Sequence, residues 1–551
     1  MARQTDSSIR PSKIWTIPTP IGPVPRWPFL TAGGLAIALC YAVALRAPAV
    51  GVHHDDGVYA VTAKSLAEGS GYRIISLPNE IPQTKYPLLF PLALSIVWRI
   101  APDFPENALL LKMVPLAATL MWCLLVFILI RREVGSATSA AGIAGLTVAS
   151  PHVIVYSTAL FAESLFAAFA WAGLILLRRQ EEQGASNLNL LWAAVLCAAA
   201  FHTRTIGFTL IIAGAAALAL RAGARSALKF GTVGILLMVP WIAWVLYQDN
   251  PGPGSYAYYT SASYGSWNVL FAFDWEQKLT IVGWNLLYAM LGPAWLMGLN
   301  LNWLWPLMLC FGILAVLGFV SDARRDLNVL HVFMVLYVAT VIVWAWTPTR
   351  FLVPVYPLLL LFAWRGARFV LPKIAPGRAV DWVGRGAVVA LALIAGWGLG
   401  HTAYAAAQLG AVCSGGVCST SWDDIRSMHS YLRGNTPPDA LLMGSVDPQL
   451  YLFTGRKAIR SFEWDPYLFY YTPTSGSGIE PFGRPDALAE RIAASGADYL
   501  ISLPSMTRRD SLLNDQVSGL RREHPGALRR IWTGSSEGPR VYEIDPSRLT
   551  R

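Results

Sequence analysis

Two adjacent carboxylates are the residues of this chain best suited to chemistry. Asp55 and Asp56 stand in the run HHDDGVYA, beside His53 and His54, and directly follow the first long apolar segment. Charge at the edge of a bilayer is costly unless water, a cation or a reaction uses it. A carboxylate there can take a proton from a hydroxyl as a general base, or it can hold a cation. We therefore predict that Asp55 and Asp56 are catalytic.

The same run has two plainer interpretations. An aspartate at a helix N-terminus stabilises the helix by about 1 kcal/mol, although capping explains one acid better than two acids beside two histidines. His54, Asp55 and Asp56 could also ligate a divalent cation. Because adjacent residues of an extended segment point in opposite directions, the whole run reaches one ion poorly. We expect no metal here and keep the divalent cation as the weaker alternative.

Three cations fall at the ends of apolar segments on the face where the predicted topology places the acids. These are Lys85, Arg204 and Arg350. Lys and Arg can clamp a phosphate, and Arg does so with two parallel donors. Each cation also has a plainer role, because basic side chains anchor helices at lipid headgroups. We predict that the three bind the phosphate of a lipid.

A second set of side chains is predicted to contact other parts of a substrate. Its members are His53, His54, Tyr59, Tyr86, Glu163, His202 and Tyr356. Glu163 interrupts a strongly apolar run, and an acid one turn into a membrane span should face the protein interior. An ion pair with Arg204 and a direct substrate contact explain Glu163 equally well.

The composition indicates which elements must position these residues. Of the 551 residues 54% are hydrophobic and only 14% are charged, with a mean hydropathy of +0.44. Such a chain is too apolar for a soluble globule, and we predict a mainly α-helical polytopic membrane protein with about eleven transmembrane helices plus interfacial helices. The apolar segments lie near 29–47, 108–130, 137–156, 158–177, 188–203, 205–220, 227–247, 302–320, 328–347, 350–365 and 386–407.

The distribution of basic residues predicts the orientation. With the polar tail 1–28 in the cytoplasm, most basic residues, among them Arg178, Arg221 and Arg365, share the cytoplasmic side. This count requires that residues 85–100 form an interfacial or re-entrant helix and do not cross. Because the basic residues concentrate on the predicted cytoplasmic side, the net charge of +10 indicates membrane topology and not nucleic-acid binding.

The same count requires that residues 278–298, which contain Gly292-Pro293, are broken and do not cross either. The transmembrane catalytic domain then covers residues 29–412, with extracytoplasmic loops at about 48–107 and 248–301. The N-terminal stretch has no short apolar core before a cleavage site, so the first apolar segment should remain as an anchor.

The last part of the chain, residues 413–551, is polar and holds equal numbers of basic and acidic side chains. Its β-like runs (ALLMGS, DYLISL, VYEID) alternate with helical stretches (DDIRSMHSYLRG, PDALAERIAASG), which predicts a small extracytoplasmic α/β domain. Cys413 and Cys418 stand at its entrance. An oxidising compartment would permit a disulfide between them, and two free thiols are the alternative.

The order of these motifs resembles that of a known group of enzymes. An acidic pair after the first span, a KYPLLFPL interfacial helix, TRTIG after a later span and finally TRFLVPVYPLLL are similar to the bacterial integral-membrane glycosyltransferases of the GT-C superfamily. Within that superfamily, the resemblance is to the protein O-mannosyltransferase-like and aminoarabinose-transferase-like group. It covers roughly residues 29–365 and, in general layout, the trailing domain.

The resemblance implies roles for individual residues. Asp55 matches the first acid of the family's pair, which is its proposed catalytic acid. Lys85 matches a Lys-Pro element with one residue intervening, and Thr203-Arg204 matches Thr-Lys-Gly with the glycine displaced by two positions. Arg350 matches the start of an Arg-Tyr-x-x-Pro element in which Phe stands in place of Tyr.

The activity implied by the resemblance is transfer of a sugar, hexosyl or pentosyl, from a polyprenyl-phosphate carrier. The acceptor would be a hydroxyl or phosphate of an envelope glycolipid, glycan or protein at the extracytoplasmic face of the bacterial inner membrane, and the reaction would invert the anomeric carbon with Asp55 as general base. A transporter or flippase for a lipid-linked sugar is the alternative, and it predicts polar residues near mid-span and an inverted repeat. A membrane-anchored binding protein is a third interpretation.

Overall fold

The structure is a computed structural model that describes most of the chain. The described residues are 16–19, 22–25, 27–184, 186–248, 273–299, 302–374, 378–411, 421–462, 466–472, 485–503, 508–535 and 538–549. Cys413 and Cys418 lie outside these ranges, so their disulfide stays a prediction.

The membrane part of the chain is almost entirely helical. A short antiparallel hairpin, β1 (Thr16–Thr19) and β2 (Gly22–Pro25), precedes it. The helices of the bundle are Trp27–Arg46, Ala108–Val134, Ala137–Val148, Pro151–Thr158, Glu163–Gln183, Asn187–Thr203, Phe208–Arg221, Ala224–Gln248, Trp275–Leu296, Trp305–Ala323, Val329–Ile342, Thr349–Leu352, Tyr356–Ile374 and Arg378–Leu409. Two more helices lie in the first predicted loop. They are Asp55–Ala67, called the loop helix below, and Leu89–Ile100.

Several helices have the length and composition of membrane spans. Within the described ranges, six are long and apolar enough to cross a bilayer, or seven if the pair Ala137–Val148 and Pro151–Thr158, bent by 62°, counts as one span. Five further apolar helices have only 10–17 residues. The chain is therefore a multi-pass membrane protein, while the predicted number of eleven spans is not confirmed.

One expectation about the topology is wrong. The segment 278–298 is not broken at Gly292-Pro293, because Trp275–Leu296 is a single helix of 22 residues with Pro293 inside it. A proline removes one hydrogen bond and bends a helix without having to end it. This helix is among those able to span a membrane, so the predicted second loop of 248–301 is not a loop throughout.

The helix Leu89–Ile100 fits the prediction made for residues 85–100. Its 12 residues extend about 18 Å at a rise of about 1.5 Å per residue. The hydrocarbon core of a bilayer is about 30 Å thick, so this helix is too short to cross it.

Charged side chains gather at two opposite ends of the bundle. At one end Arg178 pairs with Glu133 and Asp326, both at 2.9 Å, and Arg365 also pairs with Glu133. Glu163 begins the helix whose last turns contain Arg178, and the two are separated by about 22 Å along the axis. Arg178, Arg221 and Arg365, which the sequence predicts to share one side, do lie in one network there.

Two helices approach so closely that glycine is required on both. A Cβ added to Gly318, in Trp305–Ala323, would overlap the carbonyl oxygen of Phe362. A Cβ on Gly366, in Tyr356–Ile374, would overlap the carbonyl oxygen of Leu314. The close contact between these helices therefore depends on the missing side chains.

Gly318→Ala is expected to lower the melting temperature of the purified protein. Forcing a methyl group into a packed contact costs about 1–3 kcal/mol, and here backbone atoms would have to move. The measurement is thermal unfolding in detergent, with Gly396→Ala as the matched control, because a Cβ at Gly396 meets no atom within 4 Å. Equal melting temperatures of the two variants would contradict the packing argument.

The described residues between 421 and 549, called the outer domain below after their predicted position, fold as the predicted small α/β domain. Their five-stranded sheet has the order β4-β3-β5-β7-β6, in which β3 is parallel to β4 and β5 while β7 is antiparallel to β5 and β6. The strands are β3 (Leu442–Gly444), β4 (Ala458–Arg460), β5 (Tyr499–Ser502), β6 (Leu528–Thr533) and β7 (Arg540–Ile544). The helices are Trp422–Asn435, Asp447–Thr454, Pro466–Tyr471, Pro485–Ser495 and Arg508–Glu523.

The three strands and two helices expected from the sequence of this domain are present. β4 and β6 were not expected, because their short runs carry basic side chains that hide the strand pattern.

The outer domain packs directly on the first loop. The backbone N–H of Ala458 donates to Ser76 O at 2.9 Å, and Lys457 Nζ donates to Ile75 O at 2.6 Å. Apolar residues of both parts, such as Tyr59 of the loop helix and Leu450 of the outer domain, belong to one buried cluster. The outer domain therefore shares a core with the loop that carries the acidic pair.

Candidate functional site

Asp55 lies between two cations at the first position of the loop helix. Its Oδ2 is 2.5 Å from Arg350 Nη1, and its Oδ1 is 3.7 Å from Lys85 Nζ. The side chain retains 19% of its exposure, so a substrate can still reach it. The fold thus brings together an acid and two cations that the sequence predicts to share one face.

Glu163 is the second carboxylate of the same cluster. It is 1% exposed, and its Oε1 accepts hydrogen bonds from Arg204 Nη1 and Arg350 Nε. The pair with Arg204, one of the two explanations offered by the sequence, is therefore present. Arg350 bridges Asp55 and Glu163. We call the set of five charged residues the ion-pair cluster: Asp55, Lys85, Glu163, Arg204 and Arg350.

Aromatic rings support the two guanidinium groups. The Arg350 guanidinium lies 4.5 Å from the ring centre of Phe161, and that of Arg204 lies 5.2 Å from the ring centre of Phe351. Such contacts stabilise a cation by about 0.5–2 kcal/mol. Phe351 is the Phe of the Arg-Tyr-x-x-Pro element, although the sequence analysis gave it no role of its own. Sequence reasoning missed Phe161, because an aromatic residue in an apolar run carries no signal of its own.

The charges of the cluster determine how Asp55 and Lys85 titrate. Burial by itself would raise the pKa of Asp55, but Lys85 and Arg350 hold that pKa well below its usual range. Burial lowers the pKa of Lys85 to about 8, although the carboxylate of Asp55 opposes this shift. At neutral pH the cluster therefore carries two negative and three positive groups, a net charge that attracts an anion.

Asp56 points away from the cluster. Its Oδ2 accepts from Gly51 N at 2.7 Å and its Oδ1 accepts from His53 N at 3.0 Å, and the side chain is 2% exposed. Both oxygens thus hold the turn that precedes the loop helix. These contacts are not the predicted helix cap, because the loop helix begins at Asp55 and its N-cap residue, His54, makes no side-chain capping hydrogen bond. Of the two acids, Asp55 is the one that faces the cations.

The two histidines occupy different surroundings. The His53 ring packs 5.3 Å from the Phe161 ring, centre to centre, and the guanidinium of Arg350 contacts the same Phe161 ring. His54 is 2% exposed and faces Asp55, with 3.8 Å between Nδ1 and Oδ1. Its Nε2 lies 3.2 Å from Oδ1 of Asp447, a residue of the outer domain that sequence reasoning missed.

Two tyrosines line the inner side of the cluster. The rings of Tyr59 and Tyr86 are 4.5 Å apart, centre to centre, and both side chains are buried. Burial raises the pKa of Tyr59, while its neighbours Arg204, Glu163 and Arg350 act on the hydroxyl electrostatically. Tyr59 is therefore close to the cluster, and the Tyr86 ring contacts it directly, with its centre 4.7 Å from Lys85 Nζ.

Two predicted substrate contacts are not brought to the cluster. His202 Nε2 lies 2.7 Å from Leu237 O, in the helix Ala224–Gln248. Tyr356 is fully buried in the bundle core, and its hydroxyl has no hydrogen-bond partner within the described ranges. His202 thus binds a neighbouring helix near the surface, while Tyr356 points into the core, because a residue's position at a span end does not fix the direction of its side chain.

The HHDD run does not fit a divalent cation. Across the part of the chain that the structure describes, no three His, Cys, Asp or Glu side chains are arranged to hold a metal ion. Asp56 is engaged by backbone N–H groups, and Asp55 already lies between Lys85 and Arg350, whose charges would repel a cation. The residues of the weaker metal alternative, His54, Asp55 and Asp56, are thus separated into different roles.

Solved membrane enzymes share this fold. ArnT from Cupriavidus metallidurans in the apo state is 13% identical, with a TM-score of 0.55 over 95% of this chain and 99% of that one. ArnT bound to undecaprenyl phosphate gives 12% identity, the same coverage and the same TM-score. The Archaeoglobus fulgidus oligosaccharyltransferase in complex with Zn and sulfate is 12% identical, with a TM-score of 0.53 over 92% of this chain and 73% of that one.

No protein-family model and no curated protein matches the sequence. The likeness to the solved structures therefore concerns architecture: the chain shares the fold of ArnT and of the oligosaccharyltransferase, in agreement with the membrane glycosyltransferase architecture that its motifs led us to expect.

Proposed function

We propose that this protein transfers a sugar from a polyprenyl-phosphate carrier to an acceptor hydroxyl. The observation that carries the proposal is the ion-pair cluster, in which one partly exposed carboxylate, Asp55, lies among cations suited to a phosphate. The fold supports it, since ArnT, which has the same fold, was crystallised with undecaprenyl phosphate. A transporter would need the phosphate site but no general base.

The proposed reaction is a single displacement. The acceptor hydroxyl gives its proton to the Asp55 carboxylate, and the acceptor oxygen attacks the anomeric carbon of the donor. The bond from that carbon to the phosphate oxygen breaks, and the electron pair leaves with the polyprenyl phosphate. Attack opposite the leaving group inverts the anomeric carbon. Lys85 and Arg350 neutralise the phosphate as its charge develops, and Glu163 holds Arg350 and Arg204 in place.

The charges of the cluster imply that the donor binds before the base acts. While Lys85 and Arg350 face only Asp55, they keep its pKa well below the usual range, and such a carboxylate is a weak base. A phosphate between these cations adds negative charge beside Asp55 and competes for their hydrogen bonds, so the pKa of Asp55 rises. Donor binding thereby makes Asp55 a stronger base.

We also propose an orientation. The ion-pair cluster and the outer domain face the extracytoplasmic side of a bacterial inner membrane, and the N-terminus lies in the cytoplasm. The network of Arg178, Arg221 and Arg365 at the other end of the bundle supports this, because basic residues concentrate on the cytoplasmic side.

Binding of undecaprenyl phosphate is expected to weaken as pH rises through about 8. Lys85 is charged below its pKa of about 8 and neutral above it, so one phosphate contact is lost, and affinity should fall about tenfold. The dissociation constant is measured from pH 6 to 10 by ligand-induced thermal shift. Lys85→Arg should remove the alkaline loss, whereas Lys64→Arg, a change of a partly exposed lysine of the loop helix that pairs with Glu68, should leave it. An unchanged profile in Lys85→Arg would contradict the assignment.

The function itself is tested by turnover. The purified protein is incubated with a panel of undecaprenyl-phosphate-linked hexoses and pentoses and with envelope extract from a deletion strain as the acceptor source. Release of undecaprenyl phosphate, measured by mass spectrometry, and a sugar gained by one extract component are the expected results. Movement of the intact donor across vesicle membranes without release would support the transporter instead.

A further inference from the structure

The outer domain packs closely against the loop that carries Asp55. A Cβ on Gly57, in the loop helix, would lie 2.9 Å from Pro448 Cβ, and one on Gly51 would lie 2.8 Å from Gln449 Cβ. Gln449 Nε2 also donates to Val50 O at 3.1 Å. The helix Asp447–Thr454 is thus docked, through its first turn, beside the start of the loop helix.

The first residue of that docked helix is a fully buried acid. Asp447 is 0% exposed, and its Oδ1 lies 3.2 Å from His54 Nε2 and 3.7 Å from Arg460 Nε. An ionised carboxylate can only accept, so Nε2 of His54 is the donor. The other edge of the same ring faces Asp55, with Nδ1 3.8 Å from Oδ1. The His54 ring therefore lies between the acid of the outer domain and the acid of the loop.

The backbone of His54 is held in a costly conformation. Its φ of 68° lies in the left-handed region, which is uncommon for a residue other than glycine and costs about 1–3 kcal/mol. Strain of this kind persists only where surrounding contacts enforce it. The hydrogen bond to Asp447 is one such contact.

We propose that Asp447 is a positioning residue for Asp55, acting through His54. By accepting from Nε2, Asp447 fixes the orientation of the imidazole. The opposite edge of the ring packs against the Asp55 carboxylate and so limits the positions that this carboxylate can take. The outer domain is then an integral part of the active site. This inference rests on the proposed function for its effect on rate, while the orientation of His54 is testable without turnover.

The test compares Asp447→Ala with Asp447→Asn in the full-length protein. Asp447→Ala should lower kcat about 10- to 100-fold, the size expected when a reacting group is misplaced by about 1 Å. Asp447 acts electrostatically on Lys85, so both constants are measured at pH 6, where Lys85 stays charged. There the KM for the donor that the wild type uses and the affinity for undecaprenyl phosphate should stay within about twofold, because the variant removes no phosphate-binding side chain. Asp447→Asn should recover much of the rate, since its amide oxygen still accepts from Nε2. Asp423→Asn is the matched control, because it makes the same change at an exposed side chain of the same domain.

Two outcomes would overturn the inference. One is a kcat of Asp447→Ala within about threefold of the wild type. The other is a parallel loss of kcat, phosphate affinity and melting temperature that Asp447→Asn does not relieve, which would indicate a purely structural role. A cryo-EM structure of Asp447→Ala supplies a measurement independent of turnover, because the His54 ring should turn away from Asp55. If the wild type releases no undecaprenyl phosphate, the proposed function fails. The ring orientation of His54 in Asp447→Ala still tests whether Asp447 holds that ring in place.

Discussion

Asp55→Asn is expected to lower kcat for sugar transfer by about 10²- to 10⁴-fold, the usual contribution of a general base. The asparagine amide cannot take the acceptor proton, although it fills nearly the same volume. Binding of undecaprenyl phosphate should be retained or tightened, because the variant removes a negative charge that competes for Lys85 and Arg350. The two measurements are initial rates of undecaprenyl phosphate release and the dissociation constant of undecaprenyl phosphate.

The combination of lost rate and retained binding separates a base from a structural acid. Asp423→Asn is the control for a change of charge, since Asp423 is exposed in the outer domain and should behave as the wild type. Transfer by Asp55→Asn at near-wild-type rates would remove Asp55 from the mechanism. Loss of phosphate binding together with rate would instead indicate that Asp55 holds the cations in place.

Glu163→Gln is expected to destabilise the protein by about 3–5 kcal/mol, the cost of breaking a buried ion pair by removing one partner. Glu163 is 1% exposed and pairs with both Arg204 and Arg350. A neutral amide would leave two guanidinium groups facing each other without the charge that holds them together. The measurement is the melting temperature in detergent, with folded protein confirmed by size-exclusion chromatography.

A matched control and a double-mutant cycle make this prediction specific. Glu68→Gln removes an exposed carboxylate that pairs with Lys64 at 3.8 Å, and surface pairs contribute only about 0–1 kcal/mol. Adding Arg204→Met to Glu163→Gln should restore part of the stability, because it removes one of the two repelling charges. If Glu163→Gln melts like Glu68→Gln, the carboxylate does not hold the arginines.

The sequence by itself determined the kind of protein and most of its elements. Apolar runs of helical length follow directly from composition, and the strands β3, β5 and β7 follow from short alternating runs bounded by polar residues. These helices and strands depend on local sequence patterns, so they can be predicted without knowing how the elements pack against one another. The same logic failed at Pro293, which lies within an intact helix, because local propensity does not include the contacts that keep a helix together.

The sequence also found four members of the ion-pair cluster, because a charge at the edge of an apolar run is rare enough to be noticed. The sequence predicts that Asp55, Lys85, Arg204 and Arg350 share a face. In the fold, Asp55 contacts Lys85 and Arg350, and Glu163 joins Arg350 to Arg204. For Glu163 the sequence left two roles open. The structure shows the ion pairs, which involve residues far apart in the chain.

Only the tertiary structure separated Asp55 from Asp56. Successive residues of a helix point about 100° apart, so one carboxylate faces the cations while the other accepts from Gly51 and His53. It also brought Asp447 to His54 across 393 positions. Such contacts depend on how the outer domain docks on the loop helix, and no local pattern of residues encodes that docking. The sequence thus predicted the acids and cations at the ends of the apolar segments, whereas the packing of distant segments decided which acid lies among the cations.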